Sequence, residues 1–326
     1  MPYVSSWSQL FPGTPSYTEK DIPDLSAKVY LVTGANTGVG KEVSRILYSK
    51  NAVVWVAARN EEKGRNAIHS IKEAYPSSTG RLEFLHLDLS DLSTIKASAG
   101  TFLAKEQRLD VLFNNAGVMI PPKGSKSAQG YELQLGTNDL GHFLLTRLLT
   151  PVMVDTAKVA PKDSVRIIWV SSSAAEHLIP VPGGVDLDNL DYKKDTFYAY
   201  KYGMSKAGNY YHSTEFARRH RNDGIVSLSL NPGNLRSELY RNCNFFETML
   251  SNAATYPPVN GAYTELFAAF SDEVTMEKSG GWIVPWGRFA DIRKPLYLGS
   301  KPQSEGGTGI AQKFWEWSEE QTSPFA

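Results

Sequence analysis

Seven short apolar segments, separated by amphipathic ones, constrain the fold of this chain more than any other feature. Apolar runs of this length that end in turn residues are typical of buried strands. When such strands alternate with amphipathic helices, they predict a parallel sheet covered on both faces. Right-handed crossovers then give a doubly wound, Rossmann-type α/β fold with seven parallel strands. The predicted strands are VYLVTG (29–34), AVVWVAAR (52–59), LEFLHLDL (82–89), LDVLFNNAG (109–117), VRIIWVSSS (165–173), IVSLSLNPG (225–233) and GWIVPWG (281–287), and the predicted helices lie at about 40–50, 61–75, 92–105, 131–154 and 198–220.

The 326 residues contain no linker and no internal repeat, so we expect a single dinucleotide-binding and catalytic domain over residues 26–326. Residues 1–25 show no steady period and form a predicted N-terminal arm. Because this arm contains Trp7, Leu10, Phe11 and Tyr17, we expect it to pack on the body of the protein. Residues 238–280 are interpreted as a substrate-side insertion and residues 300–326 as a C-terminal extension.

The composition of the chain limits which classes of binding partner and which cellular compartment we expect. Lys and Arg number 34, as do Asp and Glu, so the charge balance offers no electrostatic case for nucleic acid. No apolar run approaches the ~20 residues of a membrane span, and the N-terminus lacks a secretory pattern. The single cysteine, Cys243, fits a reducing compartment. We expect a cytoplasmic protein, and we predict no metal because the six histidines show no ligand spacing.

Six of the predicted strands end in glycine or polar residues. Parallel strands place their carboxyl ends at one edge of the sheet, where ligands bind in this fold. A purely structural strand needs no such endings. The sequence therefore predicts a ligand site at that edge.

The loop TGANTGVG (33–40) follows the first predicted strand and opens the first main helix. Gly34 suits a tight turn, Gly38 lets the backbone approach a diphosphate, and Gly40 allows close packing of helix and strand. Free amides at the helix N-terminus would bind the phosphates. The spacing is GxxxGxG, and the alternative is an ordinary strand-to-helix loop.

The end of the second predicted strand indicates which nicotinamide cofactor is bound. NAD-binding proteins usually carry an acidic residue there, but this chain has Ala57, Ala58 and Arg59. The planar guanidinium of Arg59 suits a 2′-phosphate, and Lys63 adds a second positive charge. We therefore predict NADP(H). The alternative is that Arg59 only caps an exposed strand end.

The third and fourth predicted strands end near the expected adenine and diphosphate. Asp88 can accept a hydrogen bond from an exocyclic amine, although as a single residue it is equally read as a cap for the helix that starts near Ser90 or Asp91. Leu89 lies beside it. Small residues in Asn115–Gly117, including Ala116, would let the cofactor pass close to the backbone, and a plain turn is the alternative.

Tyr202 and Lys206 stand four apart in a predicted helix, so they share one face. An ammonium beside a phenol lowers the pKa of the phenol, and the pair can then exchange a proton with a carbonyl or alcohol oxygen while hydride moves. Ser172 ends the fifth strand and can hydrogen-bond that oxygen; helix capping is its alternative. Asn138 is a mediocre helix former within a predicted helix, so it is interpreted as holding a water or kinking the helix, and the alternative is an exposed helix residue.

These motifs, in this order and spacing, resemble classical short-chain dehydrogenases/reductases over about residues 26–290. The resemblance implies that Ser172, Tyr202, Lys206 and Asn138 are catalytic, that Lys206 also binds the nicotinamide ribose, and that Ala58-Arg59 belongs to the NADP-preferring type. It implies that cofactor contacts come from the glycine loop, the strand ends and the NPG motif: Gly34, Asn36, Thr37, Gly38, Val39, Gly40, Arg59, Lys63, Asp88, Leu89, Asn115, Ala116, Gly117, Tyr202, Lys206, Pro232, Gly233, Leu235 and Ser237.

Within this family, the long spacer between Ser172 and Tyr202 and the stretch DLGHFLLT resemble the retinol-dehydrogenase-like branch. The N-terminal segment is similar to fungal members, many of which reduce ketones in secondary metabolism. Two departures stand out. Asp139 occupies a position where the branch usually has histidine, and residues 238–280 match nothing in the family.

The leading hypothesis is an NADP(H)-dependent ketoreductase or alcohol dehydrogenase for a fairly large apolar molecule. Its support is the catalytic set together with aromatic residues expected near the mouth of the site. The alternative for these aromatic residues is an ordinary place in the core, which we expect for about half of them. The alternative is an NADP(H)-sensing protein with little catalysis, and a serine hydrolase is disfavoured because GxSxG is absent. A homo-oligomer would use helices 131–154 and 198–220, unless residues 300–326 cover them. The aromatic residues are Tyr240, Phe245, Phe246, Trp282 and Trp286 near the mouth, and Phe314, Trp315 and Trp317 in the extension.

Overall fold

The computed structural model describes residues 4–179, 181–236 and 255–326. Its centre is one sheet built from β1 Val29–Thr33, β2 Val53–Ala58, β3 Arg81–His86, β4 Val111–Asn114, β5 Val165–Val170, β6 Ile225–Leu230, β7 Trp282–Val284 and β8 Arg288–Ala290. Their order across the sheet is β3-β2-β1-β4-β5-β6-β7-β8. The pairings from β1 to β7 are parallel, which confirms the predicted doubly wound sheet. β8 is additional and runs antiparallel to β7.

Helices connect most of these strands. They are α1 Ser6–Leu10, α2 Gly38–Ser49, α3 Glu61–Ala74, α4 Leu92–Leu103, α5 His142–Val159, α6 Ala174–His177, α7 Tyr198–Arg219, α8 Pro258–Phe270, α9 Lys294–Ser300 and α10 Ile310–Thr322. Side chains of the preceding residues cap three of them in the described part of the chain. Ser5 accepts from the amide of Ser8 at α1, Asn60 from that of Lys63 at α3, and Asp91 from that of Ser93 at α4.

The predicted helix 131–154 differs in its first part. Residues Leu135–Gly141 form a π-helical segment that leads directly into α5. Hydrophobic spacing does not distinguish a π turn from an α turn over seven residues, so the pattern predicted one continuous helix. Short π segments inside helices are frequent at functional sites.

Alternating side chains of the strands divide the core into two layers. In β1, Tyr30 and Val32 contribute to the layer under α2, α3 and α8. Leu31 contributes to the layer under α4, α5 and α7. Each strand is therefore covered by helices on both sides, as its uninterrupted apolar sequence requires.

The segment that sequence analysis treated as an insertion is described from residue 255 onward. There α8 packs on the sheet, with Leu266 and Phe267 buried in the same layer as α2. This part therefore forms the crossover from β6 to β7 and contributes to the main core.

The N-terminal arm packs on the body, and its Ile22 and Leu25 are buried in the same core layer as α2. Trp7 is 72% exposed, whereas Gln9 is buried. The Nε1 of Trp286 donates to the carbonyl oxygen of Gly13 at 2.9 Å, and the ring of Tyr17 meets that of Phe267 edge-on at 5.6 Å. Apolar, polar and aromatic contacts together hold the arm in place.

The C-terminal extension folds back on its own chain. In α10, Phe314 stacks on His212 of α7 at 4.8 Å, and Trp315 meets Phe143 of α5 edge-on at 4.7 Å. This helix therefore covers part of the faces that we expected to be available for a partner subunit. In the described part of the chain, no helix is both long enough and apolar enough to span a bilayer.

Candidate active site

A cleft of about 990 Å³ lies at the carboxyl ends of the parallel strands, where the fold predicts a ligand. Its wall contains almost the whole predicted cofactor set: Gly34, Asn36, Thr37, Gly38, Val39, Arg59, Lys63, Asp88, Leu89, Asn115, Ala116, Gly117, Tyr202, Lys206, Pro232, Gly233 and Leu235. The cleft wall does not include Gly40, and Ser237 lies outside the described residues.

The glycine loop is closely packed against the end of β4. Gly34 has a φ of +66°, and a Cβ on it would lie 2.9 Å from the Cα of Ala116. A Cβ on Gly40 would lie 2.5 Å from the Nδ2 of Asn115 and 2.8 Å from the carbonyl oxygen of Gly34. Gly40 thus acts by letting α2 approach the loop, and the first turn of α2 presents its free amides to the cleft.

Thr33 fixes the relation between this loop and the end of β4. Its hydroxyl oxygen accepts hydrogen bonds from the amides of Asn115 and Ala116, both at 2.9 Å. The Nδ2 of Asn115 donates to the carbonyl oxygen of Thr33 at 2.7 Å. The hydroxyl also lies 3.0 Å from the Nε2 of His142, whose pKa burial lowers to about 3. A neutral imidazole accepts there, because its Nδ1 faces the carbonyl oxygen of Asn138 at 3.1 Å and must donate.

Two cationic side chains line the cleft at the end of β2. Arg59 and Lys63 are both exposed, and neither has an ion-pair partner within the described ranges. The Oδ1 of Asp88 is engaged by the amide and hydroxyl of Ser90 at 2.9 and 2.6 Å. Asp91, not Asp88, caps α4. This corner of the cleft is therefore positively charged and suits an anion.

Tyr202 and Lys206 reach the cleft from the first turns of α7, and both are largely buried. The Nζ of Lys206 donates to the carbonyl oxygen of Val170 at 2.8 Å and lies 5.9 Å from the centroid of the Tyr202 ring. Burial lowers the pKa of Lys206 to about 8, while the carboxyl groups of Asp139 and Glu265 oppose this shift. An ammonium this close favours the phenolate form of Tyr202.

The three serines after β5 have different environments. Ser171 is buried, and its hydroxyl donates to the carbonyl oxygen of Lys206 at 2.6 Å. Ser172 lines the cleft beside Tyr202, and its hydroxyl accepts from the amide of Ala174 at 3.1 Å. Ser171 therefore anchors α7, and Ser172 offers its hydroxyl to a ligand. Ser173 also borders the cleft.

Asn138 lies behind the cleft wall rather than on it. Its side chain is fully buried in the π segment. The Oδ1 accepts from the amide of Val118 at 2.8 Å, and the Nδ2 donates to the carbonyl oxygen of Val118 and the hydroxyl of Ser205, both at 3.0 Å. Asn138 thus connects the loop after β4 to α7 and faces neither solvent nor the cleft.

Three polar residues near this site were not singled out, or not given a role, from the sequence. Asn209 contacts both Lys206 and Asn138, and Thr33 organises the glycine loop. Asp139 is fully buried, and among the described residues its carboxylate oxygens have no hydrogen-bond partner. Burial raises the pKa of Asp139 well above its ordinary value, because a charged carboxylate is poorly solvated there.

The half of the cleft away from the glycine loop is mostly apolar. Its wall includes Val118, Met119, Ile120, Pro121, Pro122, Leu133, Ala174 and Leu178, with His177 at the edge. The predicted aromatic mouth is wrong for two of its members, because Trp282 and Trp286 are 2% exposed and pack in the core. Tyr240, Phe245 and Phe246 lie outside the described residues.

Comparison with known proteins agrees with this geometry. A family profile described as short chain dehydrogenase matches residues 28–184. A short-chain dehydrogenase/reductase of Phomopsis amygdali is 56% identical over 326 residues, covering 98% of this chain and 97% of that protein. The short-chain dehydrogenase/reductase bet4 of Neocamarosporium betae is 46% identical, covering 99% and 94%.

Among solved structures, the Pseudomonas aeruginosa RhlG/NADP active-site complex superposes with a TM-score of 0.63 at 22% identity, covering 83% of this chain and 97% of that one. A likeness at this level of identity concerns the fold alone. The sequence matches extend over nearly the whole chain. The chain therefore belongs to the short-chain dehydrogenase/reductase family, oxidoreductases that use a nicotinamide cofactor to act on CH–OH and C=O groups.

Proposed function

We propose that this protein is an NADP(H)-dependent ketoreductase that acts on a fairly large apolar molecule of fungal secondary metabolism. The observation that carries the proposal is that Ser172, Tyr202 and Lys206 share one wall of the cleft, between a cationic corner and an apolar half. The fungal origin of the similar proteins supports the metabolic setting.

The residues of the cleft fit a dinucleotide phosphate. Side chains at Gly34 and Gly40 would collide with Ala116 and Asn115, so their absence allows the close-packed loop and helix start that bind a diphosphate in this fold. Arg59 and Lys63 supply positive charge where a 2′-phosphate lies in this fold. The end of β2 has no carboxylate to bind a ribose hydroxyl. This donor set favours NADP(H) over NAD(H).

When bound, the nicotinamide supplies or accepts the hydride. Tyr202 donates a proton to the carbonyl oxygen during reduction and takes it back during oxidation. Lys206 stabilises the phenolate that remains on Tyr202. The hydroxyl of Ser172 hydrogen-bonds the reacting oxygen and stabilises its negative charge. The apolar wall that includes Met119 and Leu178 excludes water and binds the body of the substrate.

The direct test follows oxidation of NADPH and NADH with a panel of aldehydes and ketones, aromatic and polycyclic ones included. We expect turnover with NADPH that disappears in Tyr202→Phe. Tight NADPH binding without turnover of any panel member would instead favour a cofactor-sensing protein. Faster turnover with NADH would contradict the role of Arg59.

A matched pair of arginine variants tests the cofactor assignment. Arg59→Ala removes the guanidinium at the cationic corner, whereas Arg65→Ala removes an exposed guanidinium that pairs with Glu61 on the outside of α3. A hydrogen bond to a charged group contributes about 1.5–3 kcal/mol, so we expect the preference of kcat/KM for NADPH to fall about tenfold or more in Arg59→Ala only. An unchanged preference in Arg59→Ala would contradict the assignment.

A further inference from the structure

One face of α7 faces the π segment with an unbroken row of polar side chains. Tyr202, Ser205, Lys206 and Asn209 follow one another at spacings of three, one and three residues, which places them on the same face. All four are largely buried. The hydroxyl of Ser205 donates to the carbonyl oxygen of Tyr202 at 2.9 Å and accepts from Asn138. Ser205 and Asn209 are the members of this row without a predicted role, and Asn209 is the one that contacts Lys206.

Asn209 joins Lys206 to the π segment through both ends of its amide. The Oδ1 accepts from the Nζ of Lys206 at 3.2 Å. The Nδ2 donates to the carbonyl oxygen of Asn138 at 2.7 Å. That carbonyl oxygen also accepts from the Nδ1 of His142. Because each end of the amide has a distinct partner, the side chain has one orientation that satisfies both.

Two acceptors hold the Lys206 ammonium among the described residues, and both are neutral. They are the carbonyl oxygen of Val170 and the Oδ1 of Asn209, and no carboxylate of the described residues lies within ion-pair distance. An ammonium has three donors, and Lys206 also borders the cleft. Two donors are therefore used to hold the group, and one is left for the cleft.

The charge of Lys206 depends on these acceptors, because burial works against the ammonium. The other titratable groups around it are Tyr202 on its own helix, Asp139 and His142 on the π segment and α5, and Glu265 on α8. Burial raises the pKa of both Asp139 and Glu265, which weakens their support for the ammonium. Loss of a neutral acceptor would thus favour the uncharged amine.

We propose that Asn209 is a positioning residue of the active site, which holds the Lys206 ammonium in place and couples it to the π segment at Asn138. This inference rests on the proposed roles of Tyr202 and Lys206. Asn209 itself does not line the cleft, so it acts through Lys206 and not on the substrate.

Two variants of Asn209 separate this role from a structural one. Asn209→Leu keeps the size and removes both hydrogen bonds. Asn209→Asp keeps an acceptor for Lys206, adds a negative charge and removes the donor to Asn138. Both lose stability, but they change the charge environment of Lys206 in opposite directions. Ser213→Ala is the control, since Ser213 is buried on the same helix and contacts Ser227 instead.

The first readout is the pKa of Lys206 in the free protein, followed by NMR on ¹³C-labelled lysine and assigned with Lys206→Met. A hydrogen bond to a charged group corresponds to a shift of about one pH unit. We expect a lower pKa in Asn209→Leu, a higher one in Asn209→Asp and no change in Ser213→Ala. If Asn209→Leu does not fold, the upward shift in Asn209→Asp still decides the question.

The second readout is the pH dependence of NADPH-linked ketone reduction. The high-pH limb should move down in Asn209→Leu and up in Asn209→Asp. An unshifted Lys206 pKa and an unshifted limb in both variants, whatever their stability, would overturn the inference. Full turnover in Tyr202→Phe would overturn the proposed function instead, and the NMR titration would still judge Asn209.

Discussion

Replacing Ser172 with alanine removes a hydroxyl from the cleft wall, whereas replacing Ser171 removes one from the core. The two residues are adjacent, but the structure gives them different partners. The hydroxyl of Ser172 accepts one hydrogen bond from the amide of Ala174 at 3.1 Å and borders the cleft. The hydroxyl of Ser171 donates to the carbonyl oxygen of Lys206 at 2.6 Å in a buried environment. The adjacent pair therefore gives a controlled comparison of catalysis with stability.

The two substitutions are expected to affect different quantities, kcat for Ser172→Ala and stability for Ser171→Ala. Loss of one donor that stabilises a developing oxyanion lowers kcat by about 10²–10³-fold, and we expect this for Ser172→Ala with little loss of stability. Loss of the buried bond in Ser171→Ala leaves the carbonyl oxygen of Lys206 with only its intrahelical donor and costs about 0.5–1.5 kcal/mol. In a chain of this size that lowers Tm by a few degrees. Ser171→Ala should keep kcat within several-fold.

The assay combines NADPH-linked ketone reduction with thermal unfolding followed by circular dichroism. Ser172→Ala should be nearly inactive with a wild-type Tm. Ser171→Ala should be active with a reduced Tm. The reverse pattern, or an equal loss of kcat in both variants, would refute the assignment of Ser172 to the reacting oxygen.

Three further predictions concern the surroundings of the site. Burial raises the pKa of Glu265 to about 8, so between about pH 4.5 and 8 the folded state binds more protons than the unfolded state. The free energy of unfolding therefore falls by roughly 1.4 kcal/mol per pH unit as pH rises through that window. We expect Glu265→Gln to remove this contribution from Tm measured against pH. Gly40→Ala should weaken NADPH binding, measured by fluorescence quenching, more than about tenfold, because its Cβ would collide with Asn115. Gln9→Ala breaks the buried bridge from the arm to Glu176 and Asn231 and should lower kcat/KM for the ketone by roughly fivefold.

Each of these variants has a control elsewhere in the chain. Glu273 is exposed, and Glu273→Gln should keep the wild-type slope. Gly100 has open space around it in α4, so Gly100→Ala should leave NADPH binding unchanged and stabilise slightly. Gln312 is half-buried in α10 and donates to the Oε1 of Glu316, and Gln312→Ala should leave kcat/KM for the ketone unchanged. A variant indistinguishable from its control would contradict the corresponding argument.

The strands and the glycine loop could be predicted because their physical requirements are local. A strand that is buried on both faces must be apolar at every position, as β1 and β5 are. The residue at position 40 must lack a side chain, because α2 starts very close to the preceding turn. Such constraints are visible in a few consecutive residues, so the parallel sheet and the edge that carries the site followed from them.

Long-range packing explains what the sequence left open. β8 has three residues, and among the described strands its partner is the equally short β7, so no hydrophobic periodicity marks it in the sequence. Trp282 and Trp286 have the composition of a substrate mouth, but apolar character does not say whether a ring faces a cleft or the core. Which serine faces the cleft depends on the carbonyl oxygen of Lys206, 35 residues further along the chain.

The sequence also contained a signal for Asn209, which the predicted site does not include. Asn138 attracted attention because asparagine is a mediocre helix former, and the same argument applies to Asn209 in the middle of α7. Its position three residues after Lys206 places both side chains on one helix face. That spacing was sufficient to suggest the contact, whereas the second contact, with Asn138, required the three-dimensional structure.

The most direct test of the central claim is to trace the hydride itself. The protein is incubated with NADPH that carries deuterium at C4 on either face of the nicotinamide, together with an aromatic ketone that is turned over, and the product is analysed by mass spectrometry and NMR. If hydride moves from NADPH to the ketone with Tyr202 as the proton donor, we expect deuterium on the new carbinol carbon from one of the two labelled faces. We expect no labelled product with Tyr202→Phe. Consumption of NADPH without deuterium in the product, or equal labelling with Tyr202→Phe, would contradict this mechanism.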